Sequence, residues 1–228
     1  MVVGIVFFVL QTAVLVGFAI RGSTEFSEQE LEGLLRAVQH DGTAFSVATL
    51  VSGVGSVLLL LVVIKLKRGS VIGEYLALTR PRPSALLMWL GILTVFIALS
   101  DALTYVLGRP VVPEFMAEIG ATTRPIWLMW LAVVLVAPIA EEVFFRGFLF
   151  KGLSSGPIGA IGAIVVTAIL WALMHPQYDV YGIVTIFFQG LLQGAARMKT
   201  RSLAVPVAMH VEANLVATLE AVFLLPVG

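Results

Sequence analysis

Ionisable and hydrogen-bonding side chains are concentrated in three short stretches of roughly the last 90 residues, each within an otherwise apolar segment. The stretches are EEVFFR starting at Glu141, WALMH ending at His175, and HVEAN running from His210 to Asn214. Because an ionised group in hydrocarbon costs on the order of 3 kcal/mol, such groups indicate a function. A carboxylate and an imidazole in a low-dielectric pocket can hold and deprotonate a water molecule. A second imidazole with an amide can stabilise an oxyanion, so the set is typical of a hydrolase.

The first stretch predicts different roles for its two glutamates. Glu142 and Arg146 are four residues apart on a helix, close enough for a carboxylate–guanidinium pair that neutralises both charges. Glu141 lies about 100° around the same helix, so this pair cannot easily satisfy it. Glu141 is therefore the carboxylate left free for chemistry.

The histidines leave two mechanisms open. The chain has three His residues, and two of them, His175 and His210, fall in these apolar stretches. Trp171 shares a helix face with His175, as Asn214 does with His210, because each pair is four residues apart. Glu141, His175 and His210 could instead bind Zn²⁺ with an open fourth position for water. The residues alone do not separate a metal-free site from a divalent-metal site.

The ordered set EEVFFR, WALMH and HVEAN resembles the three motifs EExxxR, FxxxH and HxxxN/D of the CPBP family, the CAAX-protease and bacteriocin-processing intramembrane proteases. The resemblance covers roughly residues 126–226. It implies that Glu141 and His175 activate a water molecule and that His210 and Asn214 stabilise the oxyanion.

The same resemblance makes Glu142, Arg146 and Trp171 supporting residues. Trp171 departs from the usual pattern, which more often has Phe at that position. Both metalloprotease and glutamate-protease mechanisms have been associated with the family, so the resemblance leaves the metal question open as well.

The elements that position these residues are predicted to be membrane helices. Of the 228 residues, 59% are hydrophobic and 12% are charged, and the mean hydropathy is +1.03, which exceeds what a soluble domain of this length buries. Apolar runs near 20 residues match the thickness of bilayer hydrocarbon. Absence of Cys excludes a disulfide framework, a zinc–thiolate site and a cysteine nucleophile. A net charge of zero indicates no nucleic-acid partner.

We therefore predict an all-α fold: a polytopic transmembrane helical bundle of about seven helices in one integral membrane domain. Residues 1–125 would supply N-terminal helices and residues 126–228 the catalytic core helices. Two connecting segments, 26–38 and 72–78, have the apolar spacing of short interfacial amphipathic helices. The predicted transmembrane helices are 3–20, 44–64, 85–107, 126–150, 157–175, 180–197 and 203–225. We expect the first to be retained, since no basic region precedes it.

Charge placement predicts an orientation in the membrane. Basic residues collect in cytoplasmic loops, and nine of the 14 fall on one predicted face. These nine are Lys65, Lys67, Arg68, Arg80, Arg82, Lys151, Arg197, Lys199 and Arg201. The distribution predicts a multi-pass protein of the cell membrane with a cytoplasmic N-terminus and an external C-terminus.

Ideal helices do not obviously bring the three stretches to one depth. A rise of about 1.5 Å per residue puts Glu141 roughly 20 Å deep, His175 roughly 27 Å and His210 about 14 Å. Helix tilt, a kink at Pro138 or a shallow start of the Gly-rich segment 156–162 could close this gap. The predicted site requires that one of them does.

Other features are assigned structural roles. The small and polar face of Gln189, Gly190, Gln193 and Gly194 predicts close helix packing, with a substrate-cavity wall as the alternative. Most of five aromatic residues are assigned to the aromatic belts: Tyr178, Tyr181, Trp89, Trp127 and Trp130.

The function predicted is that of an intramembrane endopeptidase. Its partners would be the lipid bilayer and a membrane-associated or lipid-anchored protein or peptide substrate, with no oligomeric state specified. Two other classes remain open: a proton-coupled transporter, which also buries Glu, His and Arg, and a catalytically inert scaffold or immunity-type protein.

Overall fold

The structure is a computed structural model that describes residues 12–14, 16–17 and 40–223. In this part of the chain the secondary structure is helical, without β-strands. In chain order the helices from residue 42 onward are α1 (Gly42–Leu66), α2 (Ile72–Tyr75), α3 (Pro83–Val106), α4 (Glu114–Thr122), α5 (Trp127–Ser154), α6 (Gly159–Leu173), α7 (Val180–Thr200) and α8 (Ala204–Phe223).

Four of the described helices, α1, α3, α5 and α8, are long and apolar enough to cross a membrane. The all-helical, multi-pass prediction is therefore confirmed, whereas the count of about seven is not. Helix α6 has only 15 residues, and α7 is long but too polar to meet the same criterion. The predicted helix 3–20 lies outside the described residues except at 12–14 and 16–17, which are helical, and segment 26–38 lies wholly outside them.

Two short helices differ from the sequence-based expectation. Helix α4 was not predicted; it follows Pro113, which sits at its N-cap. The predicted interfacial helix 72–78 is reduced to α2. It stops because Ala77 adopts a left-handed conformation with φ of 51°. The Leu76 side chain packs against Gly147, where an added Cβ would lie 2.8 Å from Leu76 Cδ2.

Two compact units are formed by the described chain. The first contains residues 40–59, 112–140 and 217–223. Within it, the start of α1 lies against the end of α4: the backbone N–H of Gly42 donates to Thr122 Oγ1 at 2.8 Å. Gly53 lets α1 approach α5 so closely that an added Cβ would lie 2.9 Å from the Val136 side chain.

The second unit contains residues 60–111 and 141–216, and it holds all seven candidate site residues. Helix α3 packs there against α7 and α8, where Trp89 and Leu93 contact Ala196, Val205 and Met209. Trp89 and Leu93 are the buried residues of α3, so the assignment of Trp89 to an aromatic belt was wrong. Many other apolar side chains of this helix are exposed. A long helix with so much apolar surface exposed fits contact with lipid.

Three hydrogen bonds between residues 77–79 and 201–203, which we call the clamp, fix the start of α8 in this unit. The N–H of Leu203 donates to the Ala77 carbonyl at 3.0 Å, Ser202 Oγ donates to the Thr79 carbonyl at 2.6 Å, and Thr79 Oγ1 donates to the Arg201 carbonyl at 2.9 Å. Ala77 and Arg201 both adopt left-handed φ values, near 51° and 53°, which cost non-glycine residues roughly 1 kcal/mol each. The clamp stands directly before the helix that carries His210 and therefore helps to fix its register.

Candidate active site

Helix α5 is irregular where it carries the first motif. Two π-helical stretches, Trp130–Val136 and Val143–Leu149, flank the α-helical segment Ala137–Glu142. Pro138 lies in that segment and has no backbone N–H to complete the normal helical hydrogen bond. π-helical turns change the direction of the side chains that follow, and they are frequent at functional sites. The two glutamates thus stand at the junction between an α-helical and a π-helical segment.

Glu142 and Arg146 form the predicted pair, and the pair is fully buried. Arg146 Nη1 donates to Glu142 Oε1 at 2.7 Å, and both side chains are 0% exposed. His210 joins them from α8, with Nδ1 3.1 Å from the same carboxylate oxygen. The first and third motifs therefore meet through Glu142.

Arg146 also contacts residues of α6 and α7. Its Nη2 donates to the Gly190 carbonyl at 3.3 Å, and its guanidinium carbon lies 4.5 Å from the centre of the Trp171 ring. The Arg146 carbonyl accepts a hydrogen bond of 3.0 Å from Arg197 Nε. This arrangement links α5 to α6 and α7 at the level of the motif.

Glu141 has different surroundings. Its Oε2 accepts a hydrogen bond of 2.6 Å from the Trp171 indole N–H and lies 4.0 Å from His175 Nε2. The side chains of Glu141 and His175 are 22% and 19% exposed. The first and second motifs thus meet at a carboxylate and an imidazole that a small molecule can reach.

The hydrogen bonds define which ring nitrogen of each histidine carries a proton. His175 Nδ1 lies 2.8 Å from the Trp171 carbonyl, which can only accept, so Nδ1 donates and a neutral ring presents the lone pair of Nε2 to Glu141. His210 Nδ1 faces an ionised carboxylate and therefore also donates. Nε2 of His210 can consequently donate to a third group only when the ring is doubly protonated.

Asn214 lies one turn beyond His210 on α8 and is half-buried. The spacing that predicted a shared helix face is thus preserved. The Trp171 ring packs edge-on against both histidine rings, at centroid distances of 5.4 Å for His175 and 5.1 Å for His210. One buried aromatic side chain therefore contacts both histidines of the predicted site.

The glycines of α7 explain how these elements approach so closely. A Cβ at Gly190 would lie 3.1 Å from Ala168 Cβ, Arg146 Nη2 and Trp171 Cε3. A Cβ at Gly194 would lie 2.9 Å from the Ile164 side chain. The packing interpretation of this face is confirmed at both positions.

Two residues near the site were assigned other roles from the sequence. Arg197 was counted among the cytoplasmic loop charges, but it is buried, its Nε donates to the Arg146 carbonyl and its guanidinium stacks on Phe150. Tyr178 was assigned to an aromatic belt, but its ring lies 6.1 Å from that of His175. Burial, together with the negative charge of Glu141, raises the pKa of Tyr178 to about 12, so the phenol stays protonated. A signal was present in the spacing, since Tyr178 follows His175 by three residues in a Pro-containing turn.

The side chains do not fit the zinc alternative. In the part of the chain that the structure describes, no group of three or more His, Cys, Asp or Glu side chains is placed to hold a metal ion. His210 is turned to Glu142, and Glu141 and His175 by themselves supply two ligands.

A comparison with protein families matches the stretch that carries the site. The family model described as type II CAAX prenyl endopeptidase Rce1-like matches residues 123–216. An Escherichia coli protein named "Uncharacterized 24.3 kDa protein" is 30% identical over 113 residues, which cover 47% of this chain and 51% of that protein. The chain thus spans about half the length of this curated relative, and no solved structure matches it. Residues 123–216 carry all seven candidate site residues, and the match of this region to the Rce1-like model supports a CPBP/CAAX-protease assignment for it.

Proposed function

We propose that this membrane protein is an intramembrane endopeptidase whose attacking water is activated by Glu141 and His175. The observation that carries the proposal is the 4.0 Å approach of Glu141 Oε2 to His175 Nε2, with both side chains partly accessible. The carboxylate oxygen of Glu141 and the unprotonated Nε2 of a neutral His175 are both hydrogen-bond acceptors. One water molecule can donate to both across this gap, because hydrogen bonds of about 2.8 Å reach it from either side.

A water held in this way has its lone pairs free for attack on a carbonyl carbon. Proton transfer to the carboxylate or imidazole generates the nucleophile as the new C–O bond forms. Collapse of the tetrahedral intermediate breaks the C–N bond, and the same proton passes to the leaving amine. The step consumes one water molecule and yields a carboxylate and an amine, with no covalent enzyme intermediate.

His210 and Asn214 are proposed to stabilise the oxyanion of that intermediate. Because Glu142 occupies Nδ1 of His210, the ring donates from Nε2 as an imidazolium, which is a stronger donor to an oxyanion than a neutral ring. With Glu141 and Glu142 ionised, Arg146 and an imidazolium at His210 bring the formal charge of the group to zero. Glu142 and Arg146 therefore support catalysis by fixing and charging His210.

The proposed substrate is a peptide bond in a membrane-associated or lipid-anchored protein or peptide, reached from within the bilayer or from its surface. The family description names prenyl endopeptidases, so a prenylated C-terminal segment is one member of this class. Residence in the cell membrane, with the N-terminus cytoplasmic and the C-terminus outside, is part of the proposal.

The test is cleavage of a proteome-derived peptide library by the purified protein in lipid, read by mass spectrometry. Wild type is compared with Glu141→Gln, with and without a chelator. Glu212→Gln is the matched control, because Glu212 is a carboxylate on the same helix as His210 but accepts from Thr94 Oγ1 at 2.6 Å instead of facing the site. We expect cuts that persist in the control and with chelator and vanish in Glu141→Gln.

Two results would overturn the proposal in different ways. Folded wild-type protein that makes no Glu141-dependent cuts would favour the inert scaffold or the proton-coupled transporter. Glu141-dependent cuts abolished by chelator, and restored by Zn²⁺, would replace the metal-free mechanism with a metal-dependent one.

A further inference from the structure

Trp171 makes a short hydrogen bond to the proposed catalytic carboxylate. Its indole N–H donates to Glu141 Oε2 at 2.6 Å, and this is the oxygen that faces His175 Nε2. We propose that Trp171 is a positioning residue whose indole N–H sets the orientation in which the Glu141 carboxylate acts on water. The inference rests on the proposed function and adds to it a role that ring packing alone does not supply.

The geometry gives the donor a specific task. A glutamate carboxylate rotates freely about its last side-chain bond, because that torsion has broad energy wells. A charge-assisted hydrogen bond restricts the rotation. The hydrogen bond from the indole N–H keeps Oε2 of Glu141 directed towards His175.

The donor is itself rigid. Trp171 is buried, at 2% exposure, and its ring is fixed between the two histidine rings and the Arg146 guanidinium. Gly190 packs against the ring as well, since a Cβ added at Gly190 would lie 3.1 Å from Trp171 Cε3. A ring held on this many sides can orient a carboxylate without moving.

Trp171 orients the second member of the pair as well. Its backbone carbonyl accepts from His175 Nδ1 at 2.8 Å, so one residue fixes the acceptor oxygen of Glu141 and the protonated nitrogen of His175. The carbonyl is present with any residue at this position, whereas the indole N–H is specific to Trp. Phe would preserve most of the ring packing and leave Oε2 without this donor.

The test separates the hydrogen bond from packing by two substitutions at position 171. One is Trp171→Phe. The other is site-specific replacement by 3-benzothienylalanine, which has the shape of Trp with sulfur in place of the N–H. Trp89→Phe is the control, because Trp89 is a buried tryptophan of the same unit that packs in an apolar cluster.

We expect both replacements at position 171 to lower kcat about 10- to 100-fold, a loss typical of a misplaced catalytic group, with KM changed less than about twofold because the substrate contacts remain. Trp89→Phe should keep kcat near that of wild type. Full kcat in the benzothienylalanine protein would overturn the inference, because it would show that the shape of the ring is sufficient.

A second readout does not depend on activity. In protein carrying ¹⁵N-tryptophan, the indole N–H resonance of Trp171 is assigned by its loss in Trp171→Phe. We expect Glu141→Ala to shift this resonance and to leave that of Trp89 in place. An unchanged Trp171 resonance would overturn the inference even in an active protease. A shifted resonance in a protein that cleaves nothing would preserve the hydrogen bond and reject the proposed function.

Discussion

Glu141 and Glu142 are neighbours in the chain with opposite surroundings. Glu142 is fully buried and bonded to Arg146 and His210, which form what we call the closed half of the site. Glu141 is partly exposed and faces Trp171 and His175, which form the open half. The same side-chain chemistry thus serves two purposes. A buried carboxylate that accepts from a guanidinium and an imidazole holds those groups in place, and a carboxylate with an accessible face can take up a proton.

The division follows from helix geometry and from charge. Successive residues point about 100° apart, so only Glu142 can face Arg146 and α8. Burying a carboxylate completely requires a paired cation and hydrogen bonds, and the closed half supplies both. The comparison predicts that substitution of Glu141 lowers activity with little loss of stability, whereas substitution of Glu142 or Arg146 lowers stability as well.

The largest effect is expected for Glu141→Gln. Loss of the proton acceptor should reduce kcat about 10²- to 10⁴-fold. The free energy of unfolding should change by less than about 0.5 kcal/mol, because the site is partly exposed and the amide oxygen can still accept from Trp171. Cleavage kinetics and an SDS-unfolding titration on one preparation check both numbers. A large loss of stability would show that the two glutamates do not differ as described.

The next effect is expected for Glu142→Ala and Arg146→Ala. Each leaves its buried partner unpaired, which should lower the free energy of unfolding by about 3–5 kcal/mol. The SDS-unfolding midpoint measures the change. The double variant Glu142→Gln with Arg146→Met removes both charges together and should be more stable than either alanine variant. A double variant as unstable as the alanine variants would mean that the buried charge pairing is not what stabilises the closed half.

A smaller effect is expected for Gly190→Ala, at the wall shared by both halves. The added Cβ would press on Arg146 Nη2 and Trp171 Cε3, each 3.1 Å away. Overpacking of this kind typically costs about 1–3 kcal/mol. Gly91→Ala in helix α3 is the matched control, since nothing lies within 4 Å of a Cβ added at Gly91. This substitution should stabilise the protein by roughly 0.5–1 kcal/mol. Equal effects of the two substitutions on the unfolding midpoint would contradict close packing at Gly190.

Much of the fold was predictable because a bilayer imposes a length on apolar segments. The predicted helices 44–64, 85–107 and 126–150 correspond closely to α1, α3 and α5. The fifth predicted helix, 157–175, was too long. Gly159 has a left-handed φ of 61°, and Pro176 disfavours helical conformation at His175, so α6 runs only from Gly159 to Leu173. His175 therefore lies beyond the helix end, and its depth could not be counted as if the helix were ideal.

The site was predictable where helical spacing decides contacts and not where tertiary structure decides them. The Glu142–Arg146 pair follows from a separation of four residues on one helix. The bonds from His210 to Glu142, from Trp171 to Glu141 and from Arg197 to the Arg146 carbonyl join residues 30 to 68 positions apart. No local pattern specifies which of several buried polar groups will meet across such a distance. The π-helical stretches of α5, which turn the two glutamates, likewise depend on the surrounding packing.

The most direct test of the central claim, that Glu141 activates water for attack on a peptide bond, is cleavage of the peptide library in H₂¹⁸O. The account predicts one ¹⁸O atom in the new carboxyl terminus of each product of the wild-type protein and of Glu212→Gln, and no labelled product from Glu141→Gln. Labelled products formed at the wild-type rate by Glu141→Gln would contradict the claim, because the water would then be activated by another group.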